Sequence, residues 1–263
     1  MRKLLFFDID GTIWDYKNHI PESTVLAIRK ARERGHLVFL NTGRCRAFIR
    51  EKNLLDLGLD GIISGCGTMI EYEGKVLFDK RIPQEETLRI IRVMKKYGMC
   101  LILEGPEYLY ANREEFIGTR DELFVEKIAR ELQGDLRRLD TEGEEFAVQK
   151  FSCSIYGCDT EDCIRELGDI YDYIIHNDDF MEVVPKGFNK GTAIREVCRL
   201  LGADPGDTIS FGDSINDREM LMDAGIGVVM GNGSEEAKEF ADYVTTDIYE
   251  DGIMNAMKHL KLF

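Results

Sequence analysis

The chain has 263 residues, 44% of them hydrophobic and 32% charged, a composition typical of a globular protein with one large or two smaller domains. Its 49 acidic and 34 basic residues give a net charge of −15, which disfavours nucleic acids and anionic membrane surfaces as partners. No apolar run reaches the roughly 20 residues that a membrane-spanning helix needs.

The first third of the chain alternates apolar runs with a helical pattern. Apolar runs at 4–7, 37–40 and 62–63 predict strands, and apolar residues at helical spacing predict a helix over 21–34. A proline opens that helix and a glycine follows it, as expected at a helix start and a helix end. This order is typical of a parallel sheet with helices on both faces.

The pattern changes in the middle of the chain. Residues 71–78 predict a hairpin that turns at Glu73-Gly74. Beyond it, helical patterns are separated by strands in adjacent pairs, which favours an α+β unit with an antiparallel sheet. The helices are predicted at 85–97, 120–132 and 161–168, and the strands at 99–112, 148–156, 171–176 and 181–184.

The parallel pattern returns near the end of the chain. A helix is predicted at 190–201, and strands at 208–211, 226–230 and 243–245. The simplest interpretation is an α/β fold with a Rossmann-like parallel-sheet core formed by 1–83 and 187–263. An α+β domain is then inserted at 84–186.

The cysteines and the N-terminal sequence indicate where in the cell the protein is expected. Seven cysteines, an odd number with no CxxC pair, are typical of reduced thiols in a cytoplasmic protein. Four apolar residues before the first acid are too few for the core of a signal peptide. We therefore expect a cytoplasmic protein, and the sequence does not predict its oligomeric state.

Three predicted core strands end in polar loops. The first is followed by Asp8 and Asp10, the second by Thr42, and a later one by Asp213 and Asp217. Because the carboxyl ends of parallel strands share one edge, these loops are expected to converge on one pocket. Four acids there would repel each other and raise each other's pKa values, a conflict that a hard divalent cation such as Mg²⁺ removes.

The same loops are suited to phosphate binding. The Thr42 hydroxyl and the backbone N–H groups near Gly11 and Gly43 can donate to phosphoryl oxygens. Lys190, at the start of a predicted helix, is the candidate for a fixed positive charge, and Lys186 is its more solvated competitor.

Further residues are weaker candidates for contact with a substrate. Phe188 and Asn189 lie just before Lys190, and Arg44 follows the second strand, where it could instead pair with a surface acid. Trp14 follows the first acidic loop, and packing is favoured over contact with a leaving group.

These motifs, taken together, resemble the haloacid dehalogenase-like superfamily. DIDGT at 8–12, NTGR at 41–44, Lys190 and GDSIND at 212–217 match its four motifs in order and spacing. The insertion at 84–186 resembles the type-two (IIB) cap of the Cof-type phosphatases. Residues 64–68 read SGCGT, where Cof-type proteins usually carry an Asn-Gly-Ala-like turn.

The resemblance implies roles for the site residues. Asp8 would be the nucleophile and Asp10 the general acid and base. Mg²⁺ would be held by Asp8, the Asp10 carbonyl and Asp213, with Asp217 either a ligand or the partner of Lys190. The groups expected to neutralise the phosphoryl oxygens are Thr42, Lys190 and Asn216.

Three functions are compatible with these residues. The first is a Mg²⁺-dependent phosphatase of small phosphomonoesters, such as sugar phosphates or phosphorylated cofactors, acting through an aspartyl-phosphate. The second is a phosphomutase or phosphotransferase that uses the same intermediate. The third is a non-catalytic phosphoacceptor or metal-binding regulator, against which the second acid of the first motif and the large insertion both argue.

Overall fold

A computed structural model describes residues 2–140, 143, 145–176 and 179–263. The chain divides into two compact units. The first unit comprises Met1–Gly43, Arg50–Phe78 and Asn189–Phe263, and the second comprises Arg44–Ile49 and Asp79–Phe188. The sequence placed the junctions after residues 83 and 186, whereas the units change over after residues 78 and 188. That the second unit is a cap stays a prediction.

Strands account for much of both units. In the described part of the chain they are β1 Leu4–Phe7, β2 Leu37–Asn41, β3 Gly61–Ser64, β4 Met69–Tyr72, β5 Lys75–Asp79, β6 Cys100–Glu104, β7 Leu109–Ala111, β8 Leu136–Arg137, β9 Lys150–Ser154, β10 Tyr171–His176, β11 Phe180–Pro185, β12 Thr208–Gly212, β13 Ile226–Val229 and β14 Tyr243–Val244.

The α-helices between them are mostly amphipathic. Within the same described residues they are α1 Glu22–Glu33, α2 Lys52–Leu55, α3 Gln84–Lys96, α4 Glu122–Leu132, α5 Thr160–Leu167, α6 Lys190–Leu201, α7 Arg218–Asp223, α8 Glu235–Lys238 and α9 Gly252–His259. None of them is long and apolar enough to cross a membrane.

The first unit is built on a sheet with the strand order β14-β13-β12-β1-β2-β3-β4-β5. The six strands from β14 to β3 pair in parallel, and β4 pairs antiparallel with β3. All four residues of β1 and all five of β12 are buried, as expected for parallel strands that are covered on both faces. The α/β class predicted from the sequence is confirmed.

The order of these strands reverses next to β1. From β1 the chain proceeds through β2 to β3 on one side, whereas β12, β13 and β14 lie on the other side. Ligands of such sheets bind at the carboxyl ends of the strands where the order reverses. That edge holds the loops that follow β1 and β12.

The predicted hairpin is also present. It joins β4 to β5 through Glu73 and Gly74, which both have positive φ angles of 49° and 72°. Positive φ at both central positions is the requirement of the tight two-residue turns that fit the twist of a hairpin.

The second unit is an α+β unit, as predicted. Its sheet has the order β10-β11-β9-β6-β7-β8, and its pairs are antiparallel except for β7 with β8. Helices α3 and α5 pack with one apolar cluster of the unit. Helix α4 packs with another, which also contains Cys45 and Ala47 of the segment Arg44–Ile49. All seven cysteines are free thiols.

Candidate active site

The two acids that follow β1 have different surroundings. Asp8 is buried, and its N–H extends the sheet by donating to the Phe211 carbonyl at 2.9 Å. Asp10 is exposed, and its Oδ1 accepts a hydrogen bond from the Trp14 indole N–H at 2.9 Å. Trp14 itself is fully buried. Its side chain therefore both packs in the core and orients the Asp10 carboxylate.

Gly11 brings this loop against the loop that follows β12. Its φ is +78°, and a Cβ atom at this position would lie 2.4 Å from Asp213 Oδ2. The Thr12 hydroxyl donates to Asp213 Oδ1 at 3.1 Å, and the Asn232 amide donates to the Gly11 carbonyl at 2.7 Å. A glycine is needed here because any larger side chain would displace the Asp213 carboxylate.

Lys190 is the first residue of α6 and is 3% exposed. Its Nζ donates to Asp8 Oδ1 at 2.7 Å, to Asp217 Oδ1 at 2.6 Å and to Asn216 Oδ1 at 3.2 Å. The Asn41 amide donates to the Lys190 carbonyl at 2.8 Å, which ties the end of β2 to the start of α6. The structure therefore places the predicted lysine between two of the predicted acids.

The loop that follows β12 is organised by Asp217, which is fully buried. Its Oδ2 accepts hydrogen bonds from the backbone N–H groups of Asp213 at 2.9 Å and Ser214 at 3.1 Å. With Oδ1 bonded to Lys190, both oxygens of Asp217 have donors. This arrangement favours Asp217 as a support for Lys190 and the loop.

Three carboxylates of this edge form the one group within the described residues that could hold a metal ion. Asp8, Asp213 and Asp217 each place an oxygen within 4.8 Å of the others. When all three carboxylates are ionised, the single ammonium of Lys190 leaves two negative charges. Hard oxygen donors with an excess charge of two fit a divalent cation such as Mg²⁺.

The pKa values reflect this crowding. Burial raises the pKa of Asp8; Lys190 lowers it, the carboxylates of Asp217 and Asp213 raise it again, and the net shift is upward. Burial and the Asp217 carboxylate raise the pKa of Asp213 to about 7. Burial lowers the pKa of Lys190, but Asp217 and Asp8 raise it further, so the ammonium stays charged. Both acids therefore need a positive charge beyond Lys190 to be fully ionised at neutral pH.

Thr42 and Gly43 follow β2, next to β1 in the sheet, and Thr42 is buried. The Thr42 carbonyl accepts a hydrogen bond from the Cys66 N–H at 3.1 Å. Cys66 has a φ of 56° within the SGCGT loop, so this loop keeps a tight turn without an asparagine. Phosphate binding by Thr42, Gly43 and the Gly11 backbone stays a prediction.

The weaker substrate candidates are spread over both units. Arg44 belongs to the second unit, where its guanidinium lies 4.9 Å from the centre of the Phe48 ring. Phe188 ends the second unit, and its N–H donates to the Pro185 carbonyl. Asn189 caps α6, because its Oδ1 accepts from the Thr192 N–H at 2.7 Å. Their contact with a substrate stays a prediction.

Sequence reasoning did not find every residue that shapes this edge. The roles of Asn41, Thr12 and Asn232 as donors to neighbouring loops were not predicted. Position at a strand end was a signal for Asn41, and position in the acidic loop after β1 was a signal for Thr12. Asn232 carried none, because it comes from a loop far along the chain.

Comparison with known proteins identifies the family of this chain. The haloacid dehalogenase-like hydrolase family matches residues 5–257. The chain is 32% identical to YkrA of Bacillus subtilis, which carries a provisional phosphatase name, over 99% of this chain and 98% of that protein. It is 27% identical to the HMP-PP phosphatase of Escherichia coli K12, over 90% of this chain and 87% of that protein.

Comparison with solved structures identifies the same family. The structure of a HAD subclass IIB sugar phosphatase superposes with a TM-score of 0.82 at 30% identity, covering 99% of this chain and 100% of that one. The chain therefore belongs to the haloacid dehalogenase-like hydrolase family, as its motifs predicted, and is a phosphatase enzyme of that family.

Proposed function

We propose that this enzyme is a Mg²⁺-dependent phosphatase that hydrolyses small phosphomonoesters through an aspartyl-phosphate formed on Asp8. The observation that carries the proposal is the buried Asp8 carboxylate, bonded to Lys190 at 2.7 Å on the edge where the strand order reverses. A buried carboxylate held by a fixed ammonium is a nucleophile whose orientation is set before the substrate arrives.

The first half of the reaction forms the intermediate. An oxygen of Asp8 attacks the phosphorus, and the bond from phosphorus to the leaving oxygen breaks. The carboxylic acid of Asp10 gives its proton to that leaving oxygen, so the product is a neutral alcohol. The indole of Trp14, 2.9 Å from Asp10 Oδ1, holds the Asp10 carboxyl group in place.

The second half returns the enzyme to its starting state. The Asp10 carboxylate takes a proton from a water molecule, and that water attacks the phosphorus of the aspartyl-phosphate. The bond from phosphorus to Asp8 breaks, which releases inorganic phosphate and restores the Asp8 carboxylate. Lys190, Thr42 and the backbone N–H groups near Gly11 are proposed to stabilise the phosphoryl oxygens in both halves.

The carboxylates of Asp8 and Asp213, with the Asp10 carbonyl, are proposed to hold Mg²⁺. When bound, the cation supplies positive charge to the Asp8 carboxylate and to the phosphoryl group. We propose that Asp217 supports this site from behind, because its two oxygens already accept from Lys190, Asp213 and Ser214.

The substrate is proposed to be a small phosphorylated metabolite, such as a sugar phosphate or a phosphorylated cofactor. Relatives named as an HMP-PP phosphatase and a sugar phosphatase support this class. We propose that the second unit is the cap that selects among such substrates, with Arg44, Phe188 and Asn189 as contributors. A cytoplasmic location, expected from the cysteine usage, is part of the same proposal.

Phosphate release tests the proposal. The purified enzyme is expected to release phosphate from members of a panel of sugar phosphates, nucleotides, pyridoxal phosphate and flavin mononucleotide, and to lose this activity when EDTA removes Mg²⁺. Asp8→Asn should lower turnover by about three orders of magnitude or more. Asp56→Asn, a substitution in an exposed surface pair of the same unit, should leave turnover unchanged.

The alternatives have distinct outcomes in the same assay. Isomerisation of a sugar phosphate without release of phosphate would support a phosphomutase. A phosphorylated Asp8 that persists for minutes without turnover would support a phosphoacceptor. Normal turnover by Asp8→Asn would contradict the assignment of the nucleophile.

A further inference from the structure

The second unit contains a cavity of about 510 Å³ that shares no residue with the phosphoryl centre described above. It lies beside the C-terminal half of α3 and the start of β6. Its apolar lining includes Ile91 and Leu139, which are partly buried and pack against the buried core of that unit. A volume of this size is within the range of small-molecule sites, roughly 300–1,000 Å³.

Two cations of α3 line this cavity. Arg92 and Lys95 are exposed and stand three residues apart, so they lie on the same side of the helix. Neither forms an ion pair with any residue that the structure describes, whereas their neighbours Arg89 and Lys96 are paired with Glu86 and Glu166. Two unpaired positive charges therefore line one cavity of a chain whose net charge is −15.

A carboxylate also lines the cavity, but it already accepts a hydrogen bond. Glu115 Oε1 accepts a hydrogen bond from the Asn112 amide at 2.9 Å, and the Glu115 carbonyl lies 3.0 Å from the Cys100 thiol. Burial raises the pKa of Cys100 to about 11, so this thiol is neutral at physiological pH. The positive charge available to a ligand therefore comes from α3.

We propose that this cavity binds an organic anion with an apolar body, such as an aromatic or aliphatic carboxylate or sulfonate. The anionic group pairs with Arg92 and Lys95, and the apolar body packs against Ile91 and Leu139. This second ligand site is independent of the proposed phosphatase reaction, because none of its residues has a role there.

Anilinonaphthalene sulfonate, an aromatic sulfonate, is the probe for this site. A fluorescence titration of the full chain is expected to show saturable one-to-one binding. Replacing both cations, in Arg92→Gln with Lys95→Gln, should weaken binding by about tenfold, since two exposed charge pairs are lost. The control replaces Lys80 and Arg130 by Gln, which removes the same charge from the same unit outside the cavity.

Equal weakening in both double variants, or none in either, would overturn the proposal. Cysteine labelling locates the probe independently. Saturating probe should slow alkylation of Cys100, which lines the cavity, and should slow it less at the same probe concentration in the variant that lacks both cations. Peptide mass spectrometry after maleimide treatment measures the rate in each protein. Unchanged Cys100 labelling with bound probe would place the binding elsewhere.

Discussion

Replacement of Lys190 by Met tests how the buried charges of the candidate active site are balanced. The substitution keeps most of the side-chain length and removes the ammonium that bonds to Asp8 and Asp217. Lys52→Met is the matched control, because Lys52 pairs with Asp56 at 2.5 Å, much the same distance as Lys190 to Asp217. The two lysines differ in burial, since their side chains are 3% and 86% exposed.

The difference in burial determines how much each substitution should lower the free energy of unfolding. Removal of one partner from a buried ion pair typically costs about 3–5 kcal/mol, because the remaining charge is left without compensation. A solvent-exposed pair contributes about 0–1 kcal/mol. Lys190→Met should therefore lower the free energy of unfolding by about 3–5 kcal/mol at pH 8, and Lys52→Met by less than about 1 kcal/mol.

The cost of Lys190→Met should also depend on pH. Without the ammonium, the pKa of Asp8 rises further above its unfolded value, so the folded variant retains a proton that the unfolded chain releases. Because burial already raises the pKa of Asp8 to about 8 in the parent chain, stability falls in both chains as pH rises from 5 to 8, and the difference between them widens above pH 8.

The assay is urea unfolding in EDTA, followed by the fluorescence of Trp14. This is the sole tryptophan and is fully buried in the first unit, so its emission reports on the unit that contains Lys190. A cost below about 1 kcal/mol at pH 8, similar to that of the control, would refute the argument. So would a cost at pH 9 that is no greater than the cost at pH 8.

Three further predictions concern the same edge of the sheet. Because the pKa of Asp213 is raised from 3.8 to about 7, the metal-free enzyme should lose roughly 2.6 kcal/mol of stability between pH 5 and pH 8. Over that range Mg²⁺ affinity measured by calorimetry should increase, and a flat profile would argue against proton competition. Trp14→Phe, which keeps an aromatic ring but removes the donor to Asp10, should lower kcat about tenfold with KM unchanged, and full kcat would exclude a positioning role. Gly11→Ala should lower the free energy of unfolding by more than the roughly 1 kcal/mol expected for Gly35→Ala, and it should weaken Mg²⁺ binding. Both glycines have positive φ, but only a methyl group at position 11 would meet Asp213. Equal losses in thermal unfolding would show that the contact with Asp213 is unimportant.

The sequence predicts the assembly of this site because the fold does most of the positioning. Asp8 and Asp213 follow adjacent parallel strands, so their proximity depends only on strand order and on the rule that such strands end at one edge. Lys190 was identifiable as the first residue of a helix, and Asn189 before it provides the cap that starts this helix.

The sequence alone did not predict the details that depend on side-chain rotation. The hydrogen bond from Trp14 to Asp10 requires the turn at Gly11 to bring residues four apart together, and packing alone would also have explained a buried tryptophan. Likewise, a carboxylate motif does not reveal that both oxygens of Asp217 are taken by donors.

The second unit shows a larger gap between sequence and structure. Lys150 lies buried on the central part of its sheet, with ion pairs to Glu104 and Glu182 from the two flanking strands. Those acids are distant from it in sequence, and nothing in the pattern of charges predicts which would meet it. The assignment of Arg44–Ile49 to this unit also depends on long-range packing of Cys45 and Ala47.

The most direct test of the central claim is to identify the residue that becomes phosphorylated. Borohydride reduces an aspartyl-phosphate to homoserine, so enzyme quenched with it during turnover can be mapped by peptide mass spectrometry. The proposed mechanism predicts homoserine at position 8 in the parent enzyme and none in Asp8→Asn. Homoserine at position 10 or 213, or phosphate release with no reduced residue, would contradict it.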